Sequence, residues 1–101
     1  MNFVFIHPPR KIKSNNIWGI INSENPPIGL ALLSAICDAQ GHSSQIIDAA
    51  ALKLSLPEII SKINPATDYV GLTATTPEIS SAIAIARGIR DKFPDIKIIM
   101  G

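Results

Sequence analysis

The sequence is poor in cysteine, in aromatic residues and in net charge. Cys37 is the only cysteine among 101 residues. The chain therefore cannot close an internal disulfide or hold an iron–sulfur cluster by itself, and we expect a buried thiol. Aromatic residues make up 5% and the formal net charge is +1. Because such a chain has no field that attracts polyanions, we expect no nucleic-acid partner.

Long apolar runs are also missing. The longest nearly apolar stretch, residues 28–37, is about half of the roughly 20 residues that a membrane-spanning helix needs, and Ser34 interrupts it. Met1 leads directly into a strand-like run, without the charged and apolar regions of a signal peptide. We therefore expect no membrane segment and a cytoplasmic location.

Four short apolar runs rich in β-branched residues predict four strands, at residues 3–6, 45–48, 69–73 and 96–100. Helical patterns separate them, which gives the order β-α-β-α-β-α-β. Because the runs are apolar at consecutive positions, helices should cover both faces of the sheet, as in parallel sheets. The expected fold is a single α/β domain, residues 1–101, with three α/β/α layers.

The predicted helices have recognisable ends. The first spans about residues 27–40, with Gly41 as its C-terminal cap. The second and third begin at the capping boxes 55–58 and 75–78. Residues 7–26 and 49–54 are expected to be irregular. The residues expected to face the sheet are Ile28, Leu32 and Ile36 in the first helix, and Ile79, Ala82, Ile83, Ala86, Ile89 and Phe93 in the third.

Open parallel sheets bind ligands outside the carboxyl ends of their strands. Here those ends carry His7-Pro8-Pro9, Asp48-Ala49-Ala50, Thr73-Ala74-Thr75-Thr76-Pro77 and Met100-Gly101. The threonine cluster combines three hydroxyls with the free N–H groups of a helix start, a set that can bind amides or phosphate. The alternative is that these threonines only cap the helix.

Several common site types do not fit these strand ends. Asp48 stands where a dinucleotide-binding fold keeps its ribose-binding acid, but no G-x-G-x-x-G follows the first strand. A phosphate-accepting receiver domain needs acidic residues where this chain has His7 and Thr73. A nucleophile–base pair is equally hard to build, because His7 and His42 lie in different loops.

The order of motifs resembles the N-terminal cobalamin-binding domains of radical SAM enzymes, including the anaerobic Mg-protoporphyrin monomethyl ester cyclases and P-methylases. The resemblance covers nearly the whole chain, although each motif alone is weak. The motifs that carry it are Pro26-Pro27-Ile28-Gly29-Leu30-Ala31-Leu32-Leu33, Gly41-His42, Ile46-Ile47-Asp48-Ala49, Tyr69-Val70-Gly71-Leu72-Thr73 and Phe93-Pro94-Asp95-Ile96-Lys97, leading to Gly101.

This resemblance implies a flavodoxin-like, Rossmann-like sheet of order 2-1-3-4, with a fifth strand missing by truncation. Cobalamin would lie over the carboxyl strand ends, with its nucleotide tail running down into the domain. The implied cofactor-binding residues are Pro8, Pro9, Thr73, Ala74, Thr75, Thr76 and Gly101. Carriers that ligate cobalt use a histidine in Asp-x-His-x-x-Gly, which is absent. His7 ends the first strand on the correct side, but the radical SAM branch usually lacks this ligand.

The family also implies a larger parent enzyme. A downstream radical SAM domain would hold a 4Fe–4S cluster and S-adenosylmethionine and act as a methyltransferase or cyclase. Without a fifth strand, the isolated chain should dimerise through the edge of strand four, where Ile96, Ile98, Ile99 and Met100 would be underprotected. Two alternatives remain open: a flavin- or nucleotide-binding flavodoxin-like module, and a ligand-free domain that docks on a catalytic neighbour.

Overall fold

A computed structural model describes residues 1–9, 28–74 and 78–101 of the chain. Its strands are β1 (Asn2–His7), β2 (Ser43–Asp48), β3 (Tyr69–Leu72) and β4 (Lys97–Met100). Its helices are α1 (Ile28–Ala39), α2 (Ala49–Leu52), α3 (Leu56–Ser61) and α4 (Ile79–Lys92). All strand pairs are parallel, and the sheet order is β2-β1-β3-β4. The predicted α/β fold and strand order are confirmed.

The register of the strands decides which side chains share a face of the sheet. Phe5 lies beside Ile46 on β2 and Gly71 on β3, and His7 at the end of β1 lies beside Asp48. Gly71 in turn lies beside Ile99 on β4. Because side chains alternate between faces along a strand, Phe5, His7, Asp48 and Ile99 all project towards one face, on which Gly71 presents no side chain.

The opposite face carries the main core. Its strands contribute buried aliphatic side chains, and α2, α3, α4 and the segment after α3 cover them. The buried cluster comprises Val4, Ile6, Ile47, Ala49, Ile59, Ile63, Val70, Leu72, Ile85, Ile89 and Ile96. Ile96 was expected to be underprotected near the sheet edge, but it is 3% exposed because it lies in this cluster.

Helix α1 covers the other face mainly over β2 and β1. A hydrogen bond of 2.6 Å joins the Ser34 and Ser44 hydroxyls, and Ser44 also donates to Asp38 at 2.9 Å. Leu30 is buried, whereas Leu32 and Ile36 are exposed. The predicted inner face of this helix is therefore wrong for those two residues, because α1 turns Leu30, Ser34 and Cys37 towards the sheet. Cys37 is half-buried rather than buried.

The inner face of α4 also differs from the prediction. Ala82 and Ile89 are buried as expected, but Ile79 and Ile83 are more than 40% exposed, and Ile85 takes the inward position. The spacing of apolar residues alone is compatible with either side of the helix facing inward, because isoleucines occupy both sides. The positions that pack inward are Ala82, Ile85 and Ile89, with Ala86 and Phe93 at their margin.

Two of the predicted helix ends are confirmed. Gly41 adopts φ +83, a left-handed conformation that glycine favours, and directly follows the last turn of α1. Ser55 accepts from the Glu58 N–H, and the Glu58 carboxylate accepts from the Ser55 N–H, as in a capping box. The predicted cap at Thr75 lies outside the described residues, and α4 begins at Ile79 with Glu78 as its N-cap.

The segment after β2 was predicted to be irregular but contains a short helix. Asp48 ends β2, and its carboxylate accepts from the Ala51 N–H at 3.1 Å, which starts α2. Three alanines in a row have high helix propensity, so one turn forms before Lys53 ends it at φ 52. Asp48 therefore ends β2 and also caps the N-terminus of α2.

Candidate functional site

The carboxyl ends of β1, β3 and β4 are joined by backbone hydrogen bonds. Thr73 donates to the Ile6 carbonyl at 3.4 Å, and Gly101 donates to the Leu72 carbonyl at 3.0 Å. Ala74 donates to the Gly101 carbonyl at 2.8 Å. These bonds bring the predicted residues Thr73, Ala74 and Gly101 together at one edge of the sheet.

Two carboxylates flank His7 at the same edge. Its Nδ1 lies 3.0 Å from Asp48 Oδ1, and its Nε2 lies 3.3 Å from Glu78 Oε1. Glu78 is 3% exposed, and its other oxygen accepts from the Thr73 hydroxyl at 3.5 Å. The polar cluster Asp48–His7–Glu78–Thr73 therefore connects the ends of three strands with the start of α4.

Beside this cluster lies a cavity of about 360 Å³, here called the strand-end cavity. Polar groups of His7, Thr73 and Glu78 form one side, and α1 supplies apolar groups on the other. The lining residues are His7, Gly29, Leu30, Leu33, Thr73, Glu78 and Gly101. The cavity can therefore contact a ligand that has both amide or hydroxyl groups and apolar surface.

A second cavity of about 390 Å³ continues from the first, between α1 and the uncovered part of the sheet. The two share Leu30, Leu33, Thr73 and Gly101. The remaining lining residues of this sheet-face cavity are Phe3, Phe5, Cys37, Tyr69, Gly71, Leu72 and Ile99. Together the cavities form a cleft that begins at the strand ends and runs down one face of the sheet.

Glycines leave room along this cleft. A Cβ atom placed on Gly29 or Gly101 would meet no atom of the described chain within 4 Å. At Gly71, by contrast, a Cβ would lie 2.9 Å from Phe5 Cδ1, so this glycine serves the packing of the protein itself. The backbone at Gly29 and Gly101 is thus open to close approach by a ligand, and these residues fit a bulky cofactor.

The other predicted site residues lie elsewhere. Pro8 is fully buried beneath the edge, and Pro9 lines a separate cavity of about 140 Å³ between α3 and α4. Thr75 and Thr76 lie outside the described residues. Both ring nitrogens of His7 face carboxylates, so neither is directed to a cobalt ion in this arrangement.

Sequence reasoning did not find the partnership of His7 with Asp48 and Glu78. Parallel pairing of β1 with β2 would have placed His7 beside Asp48, because each residue ends its strand. Glu78 was assigned only to a capping box, and nothing in the local sequence indicates that its carboxylate turns towards β1. That contact depends on how α4 crosses the sheet.

A larger cavity, about 570 Å³, lies at the opposite edge, where the strands begin. Its lining combines turn residues with charges of both signs, including Asp68, Lys92, Asp95 and Lys97. We assign the site to the carboxyl edge despite the smaller volume, because parallel sheets place their ligand-binding loops there and the polar cluster lies there.

The described residues contain neither a cluster of metal ligands nor a membrane-spanning helix. Within residues 1–9, 28–74 and 78–101, no group of three or more His, Cys, Asp or Glu side chains is arranged to hold a metal ion. None of the helices in this part of the chain is long and apolar enough to cross a bilayer.

A parallel α/β sheet with a cleft at its carboxyl edge is typical of cofactor- and nucleotide-binding modules. Residues 19–101 match the B12 binding domain family, and the chain belongs to that family. It is also 30% identical over 104 residues to an uncharacterized methyltransferase of Pyrococcus horikoshii. That match covers 100% of this chain but 21% of the relative. No solved structure matches the chain.

Proposed function

We propose that this chain is the cobalamin-binding module of a larger enzyme and that the cleft described above receives the nucleotide tail of the corrinoid. One observation carries the proposal: a cavity at the strand ends continues, past Thr73 and Gly101, into a second cavity under α1. A corrin ring over the edge and a tail in the cleft fit this shape. Membership of the B12 binding domain family supports the same ligand.

The residues have distinct roles in this proposal. Gly101 and Gly29 leave the backbone open to the tail, and Leu30 and Leu33 supply apolar contact. The Thr73 hydroxyl offers a hydrogen bond to a tail atom or a corrin amide. When bound, cobalamin supplies a cobalt centre that carries a methyl group or an electron. The chain itself holds and orients the cofactor.

The parent enzyme is proposed to be a radical SAM methyltransferase or cyclase. The relative is called a methyltransferase, and this chain spans about a fifth of its length, leaving room in that protein for a catalytic domain. The single cysteine of the chain cannot bind a 4Fe–4S cluster. A domain that follows in the same polypeptide would therefore supply the cluster, bind S-adenosylmethionine and be the main partner of the module.

Comparison of two corrinoids tests the tail site directly. Cyanocobalamin carries the nucleotide tail, and cobinamide lacks it. We expect the chain to bind cyanocobalamin more tightly than cobinamide by about tenfold or more, which corresponds to about 1.4 kcal/mol. Gly101→Val should fill the cleft and remove most of this difference, because a Cβ atom at this position has no atom of the described residues within 4 Å and would occupy the space proposed for the ligand.

Ala66→Val is the matched control, because Ala66 is an exposed small residue at the opposite edge of the sheet. It should leave both affinities unchanged. Equal binding of the two corrinoids by the unaltered chain would contradict the tail site. Binding of FMN in place of either corrinoid would favour the flavin-binding alternative, and binding of none would favour a docking domain.

A further inference from the structure

The two cavities of the cleft differ in the groups that they present to a ligand. The strand-end cavity has the polar side chains of His7, Thr73 and Glu78 on one side. The sheet-face cavity, about 390 Å³, shares Thr73 with it and is otherwise lined by aliphatic and aromatic side chains, a thiol and two glycines. None of the described residues that line this second cavity carries a charge. A ligand that enters the cleft therefore passes from a polar mouth into an apolar interior.

Parallel aromatic rings form the floor of the sheet-face cavity. Phe3 stacks with Phe5, with ring centroids 6.1 Å apart and planes within 9°, and with Tyr69, with centroids 5.3 Å apart and planes within 15°. The Phe5 ring also fills the space that a side chain of Gly71 would occupy, since a Cβ atom there would lie 2.9 Å from Phe5 Cδ1. The floor therefore offers apolar contact to a flat, aromatic ligand.

Two exposed aliphatic side chains also line this cavity. Leu33 on α1 is 48% exposed, and Ile99 on β4 is 58% exposed. Contact with an apolar ligand removes such surface from water, and this transfer is favourable. An apolar group in the sheet-face cavity would therefore gain free energy from both side chains as well as from the aromatic floor.

Among the described lining residues, hydroxyl groups occur only at the two ends of the cavity. Thr73 lies at the mouth, where its hydroxyl donates to Glu78 at 3.5 Å. Tyr69 also lines the larger cavity at the opposite edge of the sheet, and Lys97 Nζ lies 5.5 Å from its ring centroid. Between these ends the polar side chain is the Cys37 thiol, a weak donor and acceptor. The strands β1 and β3 beneath are paired on both sides, so their backbone offers a ligand few free groups.

We propose that the sheet-face cavity receives the base at the end of the nucleotide tail and selects a benzimidazole base over adenine. This inference rests on the proposed cobalamin-binding function. Both bases are flat, bicyclic and of similar size, so the aromatic floor accepts either. A benzimidazole joined to ribose has a single acceptor nitrogen and no donor, whereas adenine has an amino group and further ring nitrogens. Burial of these groups without partners is unfavourable.

The first measurement compares the affinities of the 101-residue chain for two corrinoids that differ in this base. Cyanocobalamin carries dimethylbenzimidazole, and the cyano form of pseudocobalamin carries adenine. We expect cyanocobalamin to bind about tenfold more tightly or better, the effect of leaving one buried polar group unpaired. Equal or tighter binding of pseudocobalamin would overturn the proposed selectivity.

A substitution on β4 tests whether this cavity sets the preference. Ile99→Gln introduces an amide, which can both donate to and accept from an adenine edge. Ile99 is exposed, so the fold should tolerate the change. The preference for cyanocobalamin should then fall to about threefold or less, because the adenine gains a partner. Met100→Gln is the matched control, because Met100 is the next residue of β4, points to the opposite face and lines neither cavity.

Met100→Gln should retain the full preference for cyanocobalamin. The same preference in Ile99→Gln as in the unaltered chain would overturn the assignment of selectivity to the sheet-face cavity.

Cys37 gives a readout of where the base lies. It is the only cysteine of the chain, is half-buried, and lines the sheet-face cavity but not the strand-end cavity. Saturating cyanocobalamin should therefore slow alkylation of Cys37 by N-ethylmaleimide, whereas saturating cobinamide, which has no base, should leave the rate unchanged. Equal rates with the two bound corrinoids would overturn the placement of the base in this cavity.

The corrinoid series separates failure of this inference from failure of the proposed function. Equal affinities for cyanocobalamin and pseudocobalamin, both above that for cobinamide, would overturn the selectivity and leave the tail site intact. Absence of binding by all three corrinoids would overturn the proposed function and this inference with it.

Discussion

The two faces of the sheet differ in how completely they are covered. On one face, α2, α3 and α4 bury Val4, Ile6 and Val70 almost fully. On the other, α1 covers β2 and β1, while Ile99 on β4 remains 58% exposed. The two faces therefore have different roles. We expect the first face to provide most of the stability, and we propose that the open cleft on the second face receives a ligand.

The largest expected effect comes from shortening a core side chain. Ile6→Ala should lower the free energy of unfolding by about 3 kcal/mol, because Ile6 is fully buried and its loss leaves a cavity. Leu33→Ala in the cleft should cost less than about 1 kcal/mol, since Leu33 is 48% exposed. Urea unfolding of both variants measures the contrast. Equal losses would contradict the proposed division between the faces.

The glycines of the cleft face give the next largest contrast. Gly71→Ala should destabilise the fold by about 1–3 kcal/mol, because its Cβ would lie 2.9 Å from the Phe5 ring. Gly29→Ala meets no atom of the described chain and lies in α1, where alanine favours the helix by up to about 1 kcal/mol. Thermal unfolding should therefore show opposite shifts in Tm. A neutral Gly71→Ala would mean that Phe5 is free to move aside.

The capping box on α3 should have a smaller effect. Ser55→Ala removes the side chain that accepts from the Glu58 N–H and should cost about 1 kcal/mol. The hydrogen bond from the Ser55 hydroxyl also holds the pKa of Glu58 below its ordinary value. This stabilising contribution is therefore present above the ordinary pKa of a glutamate and is lost as the pH falls through the lowered one.

Urea midpoints at neutral pH and at about pH 3 test this point, because glutamates lose their charge between them. The Ser55→Ala variant should lose less stability on acidification than the unaltered chain. An identical acid response of the two proteins would contradict the assigned cap.

The edge strand β4 should affect assembly more than stability. Ile99 and Met100 are exposed on a strand that has one neighbour within the described sheet. We expect the isolated chain to dimerise through this edge, and Ile99→Lys to favour the monomer while changing stability by less than about 0.5 kcal/mol. Light scattering of both proteins measures the effect. A monodisperse monomer of the unaltered chain would contradict the expected dimer.

The sequence predicted the strands better than it predicted which face of each helix packs on the sheet. Strand positions followed from apolar runs such as that of β1, because a buried parallel strand leaves a continuous pattern, whereas the strand order was implied only by the family resemblance. The inner faces of α1 and α4 did not follow from such patterns, because Leu32 and Ile83 are apolar residues on exposed sides and periodicity cannot distinguish two apolar stripes. Those faces depend on how each helix crosses the sheet.

The same distinction holds at the site. Thr73 and Gly101 were placed at the cleft because the ends of parallel strands share one edge of the sheet. The contact of His7 with Glu78 was missed because it depends on the tertiary position of α4. The sheet-face cavity was not predicted from the sequence either, since the sequence does not show how far α1 extends over β3.

A titration of hydroxocobalamin into the chain, followed by visible absorption, tests the central claim most directly. The cleft at the carboxyl edge predicts saturable binding of one corrinoid per chain, retained through gel filtration and weakened by Gly101→Val but not by Ala66→Val. An unchanged spectrum, with no corrinoid retained by the folded protein, would contradict the claim that this cleft is a cobalamin site.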